Sequence, residues 1–265
     1  MAKLLLIKLG GSLITDKGKD FTAKPSVIFR LAKEIKLARK NFSGQIIVAH
    51  GSGSFGHSVA ARYQTKLGII NKRSLIGLPQ VADAAIQINR VVMKELLEVG
   101  LPAVSFSPAS FIFAKNRRLK KMGTLSLFHS LSLGFLPVLY GDIIFDQEQG
   151  FCIFSSETIL GVLAKKARVM FDEIKVIYCG NTDGVYDSSG IKIPRITPKT
   201  YMKLRKYITG SEQTDVTGGM LHKVQESLTH TKNGVVTRII NGTRIGELKK
   251  AILGDESTGT VICRD

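Results

Sequence analysis

The chain has 265 residues, 44% of them hydrophobic, and carries 38 Lys and Arg against 21 Asp and Glu, a formal net charge of +17. That gives room for one large α/β domain or two small ones with a substantial core, and the basic excess favours polyanionic partners: nucleic acid, an anionic membrane or phosphorylated small molecules. Three widely spaced cysteines, Cys152, Cys179 and Cys263, with no C-x-x-C, argue against a disulfide framework and a zinc site, and no metal-ligating residue is singled out.

The first element, Lys3 to Leu9, reads as a buried strand and runs into Gly10-Gly11-Ser12. Lys8 lies inside that apolar strand, beside a Gly-Gly turn able to expose backbone N–H groups to a phosphate. An ordinary strand-edge lysine explains it less well. Lys17 falls in the loop that follows. Pro25 opens an amphipathic helix with Ile28, Leu31 and Ile35 on one face. A second apolar strand begins at Gln45 and feeds the central stretch of the chain, Ala49-His50-Gly51-Ser52-Gly53-Ser54-Phe55-Gly56-His57. The glycines permit a tight turn, the helix pattern behind them supplies an N-terminus suited to an anion, and His57 adds a titratable donor. Gly51 to Gly56 also fits the dinucleotide fingerprint G-x-G-x-x-G, but that motif needs an acidic residue about 20 positions on. Ile69-Ile70-Asn71-Lys72-Arg73 has none.

Helices are predicted over Val59 to Lys66 and Gln80 to Val99, then a strand from Pro102 to Phe106. Phe111 to Gly123 is basic and reads as irregular. A helix over Thr124 to Leu131 and a strand over Phe135 to Tyr140 lead to Gly141-Asp142, and Asp146 to Phe154 reads as a turn with a short hairpin. Ser155 caps a helix reaching about Arg168. The strand Ile174 to Cys179 leads into Gly180-Asn181-Thr182-Asp183-Gly184-Val185-Tyr186. After a helix over Ile196 to Tyr207, Gly218-Gly219 opens another in which Lys223 lies one turn inside. Strands over Val235 to Ile240 and Gly259 to Cys263, joined by a helix over Ile245 to Leu253, close the chain.

Strands and helices alternate throughout, predicting an α/β fold: an αβα sandwich with a mostly parallel central sheet. No linker or repeat interrupts it. Residues 1–265 therefore read as a single domain, with an acceptor-side N-lobe over about 1–140 and a nucleotide-side C-lobe over about 141–265. The longest apolar region, Leu125 to Phe145, is broken by His129, Gly134, Pro137, Gly141 and Asp142, so no membrane span is expected. With no signal-peptide pattern, the expectation is a soluble cytoplasmic protein. The basic runs at Lys115 to Lys121 and Lys203 to Lys206 lack interleaved aromatic or groove-reading residues, which argues against nucleic acid.

Three glycine-rich strand-to-helix loops thus stand near Lys8, Lys17, His57 and Lys223, a set suited to more than one phosphate. A P-loop and the protein-kinase motifs are missing. Lys8-Leu9-Gly10-Gly11-Ser12, Thr15-Asp16-Lys17, His50 to His57, Gly141-Asp142, Asp183-Gly184-Val185-Tyr186 and Thr217-Gly218-Gly219-Met220 occur in an order that resembles the amino acid kinase superfamily and, within it, the isopentenyl phosphate kinase family. The resemblance implies ATP-dependent phosphorylation of isopentenyl phosphate to the diphosphate, with Mg²⁺, on a homodimer.

It further implies that Lys8 and Lys17 hold the β- and γ-phosphates, and that Lys223 reaches them from the other lobe. His57 would bind the acceptor phosphate in a site lined by Gly51 and Ser156. Gly10, Gly11, Ser12, Ser52, Gly180, Asp183, Tyr186, Gly218 and Gly219 would contact the nucleotide. Where the family has Ser-Gly-Asp-Asp, this chain has Ser155-Ser156-Glu157-Thr158, and Glu157 takes the lysine-orienting part with a longer reach. The alternatives are a related kinase acting on a phosphonate such as fosfomycin, an amino-acid kinase acting on a carboxylate, and a non-catalytic anion- or nucleic-acid-binding homologue.

Overall fold

Burial in the first strand already divides the fold into two layers. The structure, a computed structural model, describes residues 1–63, 68–208 and 219–265, with the side chains of His57, 205–208 and His222 outside that description. In β1 (Lys3–Leu9), Leu5, Ile7 and Leu9 enter one core and Leu4 and Leu6 the other. A strand covered on both faces reads as a continuous apolar run because each alternate side chain meets a helix layer. The first core is closed by the short α1 (Gly11–Ile14), α2 (Pro25–Arg39), α4 (Lys72–Glu98) and α9 (Glu247–Ile252). The second is closed by α5 (Leu125–Ser132), α6 (Ser156–Ala167) and α8 (Gly219–Thr231).

Between the layers runs an eight-stranded sheet in the order β12-β14-β13-β9-β1-β2-β6-β3. These strands are β2 (Gln45–His50), β3 (Ala103–Ser105), β6 (Leu136–Tyr140), β9 (Glu173–Gly180), β12 (Arg195–Ile196), β13 (Val236–Asn241) and β14 (Thr260–Ile262) around β1. Every pairing is parallel except β13 with β14. The predicted αβα sandwich is therefore present. The strand order turns at β1, which has β2 on one side and β9 on the other, so the loops after β1, β2 and β9 open on one crevice at the carboxyl edge. Among the described residues no helix is long and apolar enough to cross a membrane.

Several predicted elements differ. Phe111 to Gly123 is not irregular: β4 (Ile112–Lys115) and β5 (Arg118–Met122) pair as a hairpin and join β7 (Asp142–Asp146) and β8 (Gly150–Phe154) in a second, four-stranded sheet. Its cations hid the alternation that buries Ile112, Ala114 and Met122. The helix predicted from Gln80 begins at Lys72 and runs through Pro79. Asn71 and Ser74 form a capping box there, and Pro79 lies on the exposed stripe, where the Leu75 carbonyl it leaves unbonded can meet water. The helix after the central loop, α3, spans Gly56–Arg62, and the predicted extension beyond 63 falls outside the described residues. Arg195–Ile196 is strand rather than helix start, so α7 (Pro198–Ile208) opens on a proline, whose missing N–H costs nothing in the first turn. Two short elements, β10 (Val185–Tyr186) and β11 (Lys192–Ile193), had no sequence expectation.

Candidate active site

Lys8 is the last-but-one residue of β1 and shares the face of Leu4 and Leu6, so its side chain enters the layer that holds α6. There its Nζ lies 2.6 Å from Glu157 Oε1 in the first turn of α6. Both groups are almost fully buried, which makes the pair unusual and costly unless well bonded. Burial alone would raise the Glu157 carboxyl, but the Lys8 ammonium, their hydrogen bond and the charge of Lys223 hold it down at about 2. Ser155 caps α6 by accepting from the Thr158 N–H at 3.1 Å, and Ser156 Oγ donates to Glu157 Oε2 at 3.1 Å. The Ser156 hydroxyl, predicted to line the acceptor site, is thus turned to the carboxylate that orients Lys8. Thr158 Oγ1 donates to Glu226 Oε1 at 3.1 Å, tying α6 to α8, the helix that carries Lys223.

The first two glycine loops pack backbone on backbone. Gly51 N–H donates to the Leu9 carbonyl at 3.0 Å, and a Cβ on Gly11 would stand 2.5 Å from Gly53 N. Gly53 has φ of 52°, and Thr15 Oγ1, which donates to the Gly11 carbonyl at 2.8 Å, accepts from Ser54 N–H at 3.0 Å. Gly10 N–H is spent on the Cys179 carbonyl at 2.8 Å, so Gly10 shapes the turn and leaves the offering of donors to Gly11 and Ser12. Among the described residues the N–H groups of Gly11, Ser12, Ser52 and Gly53 find no backbone acceptor. Ser52 Oγ reaches the Gly141 carbonyl at 3.4 Å.

Lys17 is exposed in the loop from Asp16 to Thr22, and that loop is stitched to the central one. Phe21 N–H donates to the Ser54 carbonyl at 3.5 Å, and the rings of Phe21 and Phe55 meet edge to face at 5.5 Å. His57 is the second residue of α3, its side chain outside the described residues; Gly218 lies outside them altogether, and Gly219 begins α8. A Cβ on Gly180 would meet nothing within 4 Å, so the end of β9 faces open space. Beyond it Asn181 Nδ2 donates to the Ser12 carbonyl at 3.2 Å, which joins the third loop to the first. Asp183 accepts from the Tyr186 hydroxyl and pairs with Arg244 at 3.0 Å. The Tyr186 hydrogen bond first, and then the Arg244 charge, hold its carboxyl below the usual range.

The structure thus brings Lys8, Glu157, Ser156, Gly11, Gly51 and Ser52 together, with Lys223 close enough for its charge to act on Glu157. Asp183 and Tyr186 form a neighbouring cluster with Arg244, which had not been singled out in the sequence. Nor had Asn89, while His50 and the buried Asp142 had been named only within motifs, with no part of their own. Burial pushes the Asp142 carboxyl up to about 6 against hydrogen bonds from the N–H groups of Ile143 and Ala109 and the Ser107 hydroxyl. Among the described residues no three His, Cys, Asp or Glu side chains converge as a metal site.

A crevice of open N–H groups around a buried, charge-locked lysine is built for phosphates. The model of the amino acid kinase family matches residues 3–241. A protein of Methanocaldococcus jannaschii named isopentenyl phosphate kinase is 32% identical, the match covering 98% of both chains. One of the same name from Methanothermobacter thermautotrophicus is also 32% identical, over 98% of both. A solved isopentenyl phosphate kinase structure superposes with a TM-score of 0.82 at 29% identity, covering 98% of this chain and 99% of that one. The chain belongs to the amino acid kinase family and stands there with the isopentenyl phosphate kinases.

Proposed function

We propose that this protein transfers the γ-phosphoryl group of ATP to isopentenyl phosphate, giving isopentenyl diphosphate and ADP. An oxygen of the acceptor phosphate attacks the γ-phosphorus as the bond to the β–γ bridging oxygen breaks. The observation that carries this reading is the Lys8–Glu157 pair at 2.6 Å, which fixes one cation where the open N–H groups of Gly11 and Ser12 begin. Phosphoryl transfer needs positioning and charge stabilisation more than covalent help. A phosphate monoester with a second pKa near ~6 is already largely dianionic at neutral pH, so it needs no general base. Relief of repulsion between two anions is what the residues must supply. Lys8, Lys17 and Lys223 serve the nucleotide phosphates and the charge in flight, and His57 with Gly51 serves the acceptor. Magnesium bound with the nucleotide would add charge neutralisation. Gly180, Asp183, Tyr186, Gly218 and Gly219 belong to the nucleotide side. A cytoplasmic homodimer completes the proposal.

An ADP-release assay with Mg-ATP and three acceptors tests this: isopentenyl phosphate, fosfomycin and N-acetylglutamate. Turnover selective for isopentenyl phosphate is expected. Turnover of either other acceptor in its place, or of none, overturns the reading. Sedimentation equilibrium tests the dimer.

A further inference from the structure

We propose that His50 is a positioning residue: by holding the Gly51 carbonyl it fixes the Gly51–Ser52 peptide so that the Ser52 N–H faces the acceptor phosphate, rather than the nucleotide to which the resemblance assigned Ser52. The proposal rests on the phosphate-acceptor reading above.

His50 ends β2 and is fully buried. By strand alternation it follows Ile46 and Val48 into the layer of α4, the face opposite to Lys8. Its Nδ1 lies 3.2 Å from the Gly51 carbonyl oxygen. A carbonyl can only accept, so Nδ1 carries the proton. Its Nε2 lies 3.1 Å from Asn89 Nδ2, and Asn89 Oδ1 accepts from Ser105 Oγ at 2.7 Å. The amide orientation is thereby settled: Oδ1 faces a hydroxyl donor, Nδ2 donates to the ring, and Nε2 accepts. The ring also stacks on Tyr140, centroids 5.7 Å apart. Burial, against the Gly51 hydrogen bond and with help from the Lys8 charge, lowers its pKa to about 4, so the neutral ring persists at physiological pH. The Gly51 carbonyl, Asn89 of α4 and Ser105 of β3 thus agree on one tautomer, and Tyr140 of β6 holds the plane of the ring.

What that tautomer does follows from the planarity of the peptide bond. In a trans peptide the C=O of one residue and the N–H of the next point in opposite directions. Drawing the Gly51 carbonyl onto His50, on the α4 side, turns the Ser52 N–H the other way. That is towards the side where Gly51 Cα approaches Gly11 N and Lys8 Cε: a Cβ built on Gly51 would stand 3.0 Å and 3.9 Å from them. The Ser52 N–H is one of those with no backbone acceptor among the described residues. A peptide free to rotate would lose this aim, and a preformed donor is worth most when it needs no reorganisation.

Steady-state kinetics on His50→Phe, Asn89→Leu and their combination test the idea. His50→Phe keeps the stack on Tyr140 and removes both ring hydrogen bonds. The KM for isopentenyl phosphate is expected to rise roughly 10- to 100-fold with the KM for ATP nearly unchanged. Asn89→Leu moves it the same way by less, the double variant is no worse than His50→Phe, and His50→Gln recovers part of the loss. Long-range ¹H–¹⁵N spectra of the wild type should show a neutral Nδ1–H ring at pH 6, a readout independent of turnover. An unchanged acceptor KM in folded His50→Phe overturns the proposal, as does a parallel rise in both KM values or an Nε2–H ring. If His50→Phe does not fold, Asn89→Leu and the tautomer decide. Failure of the wild type to use isopentenyl phosphate defeats the underlying reading instead.

Discussion

Lys8 and His50 lie one register step apart on neighbouring strands, Lys8 opposite Ala49 and His50 opposite Leu9, and leave the sheet on opposite faces. Each is then met by a polar partner from the helix layer on its own side, Glu157 of α6 and Asn89 of α4. The crevice between the first two loops is therefore held from both layers at once. Neither side chain can shift without leaving a buried polar group unpaired, which costs about 1–3 kcal/mol for a neutral group and more for a charge.

For Lys8 the consequence is kinetic. Lys8→Met removes the charge proposed to act on the phosphoryl group in flight, and kcat is expected to fall by roughly 100- to 1000-fold, with a smaller change in the KM for ATP. Glu157→Gln keeps the ammonium but frees it to move, and should cost about one order of magnitude less. Steady-state kinetics on both variants decide the matter. A raised KM for ATP with kcat intact would mean that Lys8 binds ground state and transition state alike.

Two glycines separate packing from binding. A Cβ on Gly11 would strike the Gly53 backbone, which cannot yield as a flexible side chain would, whereas one on Gly180 meets nothing within 4 Å. Gly11→Ala is therefore expected to lower stability by about 2 kcal/mol, a drop of roughly 4–8 °C in Tm for a chain of this size. Gly180→Ala should leave Tm within about 2 °C and raise the KM for ATP. Thermal melts beside ATP titrations read both. Equal loss of Tm in the two variants would contradict the assignment.

Much of this was legible in the sequence. β1, β2, α2 and the α6 cap follow from apolar periodicity and from Ser155, because strands buried on both faces and helices buried on one leave plain patterns. Lys8 stood out because an ammonium in an apolar strand requires a partner, and Glu157 supplied it. His50 and Asn89 were harder. Asn89 sits among Ala85, Ile88 and Val92 on the buried stripe of α4, and a polar residue there was the available signal. Its partner lies 39 positions away, a distance that no local pattern spans. The β4–β5 hairpin was hidden by its cations, which follow the solvent face, and Arg244 by a loop that acquires meaning only when it meets Asp183.

Asp142 and His50 carry opposite pH signatures, and a variant is needed to see either. His50 has a folded pKa of about 4 against a usual 6.5, so its stabilisation is complete above about 6.5 and is lost as pH falls towards 4, by about 3 kcal/mol. Asp142, an acid raised to about 6 from 3.8, has the reverse sign: the folded state binds its proton more tightly, so stability falls by about 3 kcal/mol as pH rises from 4 to 6. Over this window these two nearly cancel, so the wild-type profile carries the remaining groups, among them His230, which burial also lowers. Asp142→Asn removes one side of the balance. Its stability should exceed or match the wild type at pH 7.5 and then decline towards pH 4 by about 3 kcal/mol more than the wild type does, as His50 protonates unopposed by Asp142. Below that, Glu157, held at about 2, adds a further loss common to both proteins, since its contribution is present above 4.5 and disappears through its folded pKa. Urea unfolding at half-unit steps from pH 7.5 to 4 reads the difference. A wild type that declines as steeply as Asp142→Asn would show that burial does not raise the Asp142 carboxyl, and a level variant would show the ring of His50 titrating alike in folded and unfolded chains.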